Sequence, residues 1–223
     1  VISAIDRRAI PLAFVIALAM TLGGCNYIGA AGVILAGPPK VPALTELPKE
    51  RPLVIFIDDP SNRMRSTRLR DAMGGAADRK LLTENIVKDV ISSRSARLAS
   101  RMDTSGPDGA MLSIVEIGRA VEADTVVWVV IDDFSLTTDG VGFTPSVTMR
   151  LKVMDTRSGD RLWPGVDQPA GARVTIAMPQ GQGVTPSSRP EQMRAEQALA
   201  EYAGIGLAQL FYSHEKVFSH VAP

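Results

Sequence analysis

Leu53-Val54-Ile55-Phe56-Ile57 is an unbroken apolar run, rich in β-branched residues and closed by Asp58-Asp59-Pro60. Such a run predicts a strand buried on both faces. Thr125-Val126-Val127-Trp128-Val129-Val130-Ile131 is a second run of this kind. It is fed by a helical face of Ile114, Ile117, Gly118 and Val121, with Ala123-Asp124 turning the chain into it. Between the two runs, Leu69, Met73, Ala76 or Ala77 and Leu81 recur near helical spacing and predict a helix over Ser66 to Leu82. Gly74-Gly75 should soften its middle by about 1 kcal/mol each. Lys88–Ser92 reads as a short strand and Ser95–Met102 as a short helix, with a loop over Asp103–Gly109.

Further along, Val147, Met149, Leu151 and Val153 alternate with Ser146, Thr148, Arg150 and Lys152, which predicts a strand with one buried and one wet face. Turn residues fill Asp155 to Asp160 before Arg161-Leu162-Trp163, so a hairpin follows. Ala172–Met178 reads as another strand, and Pro179 to Pro190 as an exposed loop. Pro190 suits the first turn of a helix to about Tyr212, with Ser188 as cap and Leu199, Tyr202, Ile205 and Gln209 as its apolar stripe. The order of elements predicts an α/β (α+β) sandwich, one mixed sheet of about five strands packed by helices.

The first residues follow another pattern. Arg7 and Arg8 precede an apolar stretch, Ala9 to Met20, too short for the roughly 20 residues a bilayer span needs. Behind it stands Leu22-Gly23-Gly24-Cys25, which resembles a bacterial lipobox. The resemblance implies cleavage before Cys25, a diacylglycerol on its sulfur and an acyl chain such as palmitate on the new amino terminus. Residues 1–24 are then a lipoprotein signal peptide, 25–51 a lipidated tether rich in proline, and 52–223 a single α/β periplasmic domain. Asn26, where inner-membrane retention would use Asp, points to the outer membrane rather than the inner.

Composition narrows the function. The chain carries 24 basic and 24 acidic residues, and loss of Asp6, Arg7 and Arg8 with the leader leaves it essentially neutral. No basic run suggests a nucleic-acid partner. Cys25 is the single cysteine, so once it is acylated no thiol remains for a disulfide or for zinc. His214 and His220, the two histidines, lie about 120° apart at helical pitch and read as surface residues of a fraying terminus. Gly181-Gln182-Gly183 lacks the following Gly-Lys-Ser/Thr of a phosphate loop, and no Gly-x-Ser-x-Gly elbow occurs. Asp58-Asp59 and Asp132-Asp133 stand at carboxyl ends of apolar strands, where open α/β sheets place ligands. They are the candidates for a divalent cation or an acid and base, against the plainer reading that they end strands. Trp128, Trp163, Phe134 and Phe143 could line a partner groove, although aromatics on strands are mostly core; Trp163-Pro164 is the exposed pair expected to form a partner surface.

Two segments carry a wider likeness: Ile117 to Val127, a helix, Ala-Asp and strand, and Leu151 to Trp163, a strand, Asp-x-x-x-Gly and strand. They resemble an envelope α/β superfamily that includes curli-secretion lipoproteins, the N-terminal domain of the Tol translocation protein and lipoprotein activators of penicillin-binding proteins. The resemblance implies a lipid-anchored adaptor or assembly component with no enzymatic activity, no cofactor beyond the lipid on Cys25, and either an envelope protein or a second copy as partner. The alternative from the residues is a small metal-dependent or hydrolytic enzyme using the strand-end aspartates. Cys25→Ala is expected to abolish incorporation of a clickable fatty acid in cells, and equal labelling of mutant and wild type would remove the lipoprotein reading.

Overall fold

The computed structural model describes residues 40–102, 112–136, 143–179, 186–215 and 220–221. The leader, Cys25 and Gly181-Gln182-Gly183 lie outside them. By internal contacts the chain divides into residues 1–41, of which Lys40–Val41 (β1) is described as a two-residue strand, and 42–223. The second unit starts at Pro42. Its first residues are irregular, with a bend at 44–45 and a turn at 49–50, and they are tied to the domain at two leucines. Leu47 is buried in the core, and the Leu44 amide donates to the Leu210 carbonyl at 2.8 Å.

The remaining elements are β2 (Leu53–Asp58), α1 (Thr67–Thr83), β3 (Val90–Ile91), α2 (Ser93–Met102), α3 (Ile114–Ala120), β4 (Thr125–Ser135), β5 (Ser146–Asp155), β6 (Arg161–Trp163), β7 (Ala172–Ala177), α4 (Arg189–Gln209), β8 (His214–Glu215) and β9 (His220–Val221). The expected mixed sheet packed by helices is present. It has seven strands in the order β3-β2-β4-β5-β7-β9, with β6 also on β5. β2 runs parallel to β3 and β4, and every later pair is antiparallel.

Alternation along β2 sends its side chains into two separate cores. Leu53, Ile55 and Ile57 join Leu69, Met73, Ala77 and Leu81 of α1 and Leu199, Ala203 and Leu207 of α4. Val54 and Phe56 join Ala96 of α2, Ile117 of α3 and Val126 of β4. This accounts for the unbroken apolar run. β5 contributes Val147, Met149, Leu151 and Val153 to the larger core, as its alternation predicts, and on its other face only Met154 packs on the smaller one.

The helix starts follow their chemistry. Ser66, Ser113 and Ser188 are N-caps, Ser113 pairing reciprocally with Glu116 in a capping box, and Pro190 lies in the first turn of α4. The stripe of α4 differs from the expected one. Leu199, Ala200, Ala203, Gly204, Leu207 and Ala208 are buried, whereas Tyr202 and Ile205 are only half-buried. Small residues carry the contact because α4 and α1 approach closely: a Cβ on Gly204 would lie 2.1 Å from the Met73 carbonyl oxygen and 2.9 Å from Ala76 Cβ. The Gly74-Gly75 pair likewise divides into two roles. A Cβ on Gly74 would lie 2.5 Å from Ser93 Cβ, so that glycine admits the start of α2, while Gly75 meets only the end of the Arg79 side chain at 3.4 Å.

Substitution at these glycines should therefore act in opposite directions. Gly75→Ala is expected to stabilise by about 1 kcal/mol through helix propensity. Gly204→Ala is expected to destabilise by about 1–3 kcal/mol, since backbone must move to admit one methyl group. Urea unfolding of the two variants checks both signs.

Candidate functional site

The four strand-end aspartates are tied into the fold separately. Asp59 is buried and holds the turn after β2, its two carboxylate oxygens accepting from the Arg63 amide at 2.8 Å and the Met64 amide at 2.9 Å. Asp58 accepts from Trp128 Nε1 at 3.4 Å. Asp132, where the β4–β5 register shifts, receives Arg150 Nε at 3.0 Å from each oxygen and Arg150 Nη2 at 2.9 Å. Asp133 is exposed, opposite Thr148 on β5. Among the described residues no cluster of three or more His, Cys, Asp or Glu side chains could hold a metal ion.

The expected partner pair is placed differently. Trp163 is half-buried against the larger core and Pro164 is buried, so the exposed apolar residues of this hairpin are Leu162 and Val166. The antiparallel pairing Val153–Trp163 draws the indole inward, an alternation too short to read from three residues. His214 is likewise buried rather than on a fraying surface, with Nδ1 3.1 Å from the Tyr212 carbonyl. Phe134 packs on the larger core, and Phe143 is half-buried.

The two segments that carried the family likeness meet in one corner. Thr156 Oγ1 donates to the Ala123 carbonyl at 2.6 Å, Arg119 Nε donates to the Thr156 carbonyl at 2.7 Å, and Arg157 Nε reaches Asp124 at 2.8 Å. Gly118 makes room for Thr156, whose methyl would stand 2.4 Å from a Cβ there. Asp155 accepts from the Arg157 and Ser158 amides and from Arg51, and Gly159 closes the turn at a φ of +82°. These bonds, the Ser158 amide first, hold the Asp155 carboxyl below its ordinary pKa. The motif residues build a structural corner and offer no reactive group.

What the sheet does leave available is part of one face. α2 and α3 pack over Val54, Phe56 and Val126 and reach Trp128 and Met154 at their margin. Beyond that margin the same face presents Val130, Asp132 and Asp133 of β4, Thr148, Arg150 and Lys152 of β5, and Arg173 and Thr175 of β7, all half-buried or exposed. Register sets them in rows. Trp128 stands beside Lys152, whose Nζ lies 5.1 Å from the indole centroid, a cation–π distance. Val130, Arg150 and Arg173 form the next row, and Thr148 and Thr175 share a 3.0 Å hydroxyl contact in the one after. Arg161 joins from β6 opposite Met154. Burial, then Arg161 and Arg150, push the Lys152 ammonium below its ordinary pKa. Composition gave no sign of this basic patch, because Arg150 and Arg173 are far apart in sequence and adjacent only through strand pairing.

A second concavity, about 790 Å³, lies between α1 and α4 beside Leu69, Ala72 and the exposed Met193. Its charges offset one another, Arg68, Arg94 and Arg194 against Asp71, Glu196 and Glu201. It selects no ligand charge.

No protein-family description matches the chain, and no curated protein is similar to it. Solved structures are. The PelC dodecamer of Paraburkholderia phytofirmans is 15% identical, covering 78% of this chain and 96% of its own, with a TM-score of 0.39. The lipoprotein GNA1162 of Neisseria meningitidis is 15% identical over 70% of this chain and 99% of its own, TM-score 0.38. The LpoB C-terminal domain of Salmonella enterica is 14% identical over 60% and 86%, TM-score 0.32. At such scores the likeness says nothing about what this chain does.

One carboxyl outside that face is strongly perturbed. Asp78 of α1 accepts from the Ser93 amide at 3.2 Å and its hydroxyl at 2.9 Å, joining α1 to the start of α2. Burial outweighs those bonds and pushes its pKa from 3.8 up to about 6. Folding thus favours the neutral form, whose contribution to stability is complete below pH 3.8 and lost as pH rises through about 6. Asp78→Asn is expected to equal wild type at about pH 4 and exceed it by on the order of 2 kcal/mol at about pH 8. Urea melts at the two pH values measure the difference, and an unchanged difference would remove the assignment.

Proposed function

We propose that this chain is a lipid-anchored envelope protein that works as a non-enzymatic adaptor or assembly component. Acylated Cys25 holds it on the periplasmic side of a membrane, the outer one by the rule at Asn26. The observation that carries the reading is the open sheet face around Trp128, Arg150, Lys152 and Arg173. A flat surface with an aromatic, a hydroxyl pair and basic side chains provides contact area and polar anchors for another protein, and it has no concave chamber for a small substrate. The engagement of Asp58, Asp59 and Asp132 in structural bonds leaves the hydrolytic or metal-dependent alternative without a free carboxylate pair. Among the described residues no helix is long and apolar enough to cross a membrane.

Photo-crosslinking in intact cells tests the proposal. A crosslinking amino acid at Thr148 or Thr175 is expected to give an adduct with a discrete envelope protein or with a second copy, and one at Glu201 on the far helical side is expected to give none. The Thr148 adduct should be lost in the Cys25→Ala background. Identical patterns from both sides, or no adduct from the open face, would overturn the adaptor reading.

A further inference from the structure

Building on that adaptor reading, we infer that the open sheet face receives an extended acidic segment of a partner protein, its carboxylates taken up by Lys152, Arg161 and Arg173 and one apolar side chain resting on Trp128. Four basic side chains from three strands, Arg150, Lys152, Arg161 and Arg173, share this region with Asp58, Asp132 and, beside Thr148, the exposed Asp133. The cations outnumber the carboxylates, and Asp58 and Asp132 are engaged. Asp132 is clasped by Arg150, and Asp58 turns an oxygen to the indole nitrogen of Trp128. Lys152 makes its close contact with an aromatic face, Arg161 donates only to the Gln168 and Pro169 carbonyls, and Arg173 is exposed. Among the described residues none of these three has a carboxylate within ion-pair distance. The lowered pKa of Lys152, caused in part by Arg161 and Arg150, reports the same excess of positive charge.

Spacing and shape favour a polypeptide. Lys152 and Arg173 are one strand and one two-residue step apart, so their Cα atoms are separated by roughly 7–8 Å. Same-side residues of an extended chain repeat at about 7 Å, so alternate carboxylates of an acidic strand can meet both cations. α2 and α3 rise from the same face of the sheet and form a shoulder about 10 Å high beside it. A flat bilayer surface would be held off by that shoulder, whereas one polypeptide layer, which needs about 10 Å above a sheet, fits within the step.

The test uses the full chain in nonionic detergent and a fluorescein-labelled decapeptide alternating Glu and Val, read by anisotropy. Arg173→Glu and Lys152→Gln are each expected to weaken binding about tenfold or more, added salt to weaken it further, and Arg194→Glu on the far groove to leave it unchanged. A Lys-Val peptide should not bind. Absence of Glu-Val binding, or binding equal in all variants, would overturn the inference. So would tighter, variant-sensitive binding to phosphatidylglycerol vesicles, which would make lipid the occupant. If the peptide fails while the Thr148 crosslinks persist, the acidic-segment assignment falls and the adaptor reading stands; loss of both removes both.

Discussion

The parallel pairing of β2 with a neighbour on each side governs the rest of the molecule. Parallel neighbours cannot be joined by a tight turn, so the chain must cross over the sheet twice, once through α1 to β3 and once through α2 and α3 to β4. Those crossings step in opposite directions, and connections of one hand then place their helices on opposite faces. β2 is consequently covered on both sides. After β4 the sheet grows by antiparallel pairing, which requires no helix, and α4 returns only to the face that α1 already occupies. Among the described residues, the open basic face is the half of the sheet that this topology leaves without a helix.

The polar residues in the interior follow a related economy. Carboxylates at strand ends, in a place that suits ligands in other open sheets, here satisfy amides of the next turn or neutralise an arginine across a strand pair. The Asp155 turn and the Thr156 contact with Ala123 do the same at the opposite end of the sheet, joining β5 to the loop that leads into β4. A buried acceptor with its donors in place stabilises one arrangement of the chain, and leaving it unpaired would cost on the order of 1–3 kcal/mol.

Elements were legible in the sequence wherever burial imposed a period. The two-sided strand at Leu53–Ile57, the one-sided strand around Val147–Val153 and the helix capped at Ser188 read directly, because hydrophobic alternation and capping are local. Contacts decided by neighbours distant in sequence did not. Of the expected α4 stripe Leu199 and Gln209 are buried, but alanine and glycine, weak hydrophobic signals, carry the rest of the contact in place of Tyr202 and Ile205; a short pairing with β5 turns Trp163 inward; and His214 is buried. The wet residues Arg150 and Lys152 were recognised as a solvent face, but only the register with β7 and β6 brings Arg173 and Arg161 to them.

The close approach at Gly204 also bears on how this protein can drift in sequence. What a side chain at Gly204 would strike first is a main-chain oxygen, which every residue at position 73 possesses. No second change on α1 can therefore relieve it, and the glycine is fixed for as long as the helices keep their spacing. Gly74 is under a softer rule. Its first obstacle is the Ser93 Cβ, so only a glycine at 93 could open the way for a side chain at 74, and that exchange would give up the Ser93 hydroxyl bond to Asp78.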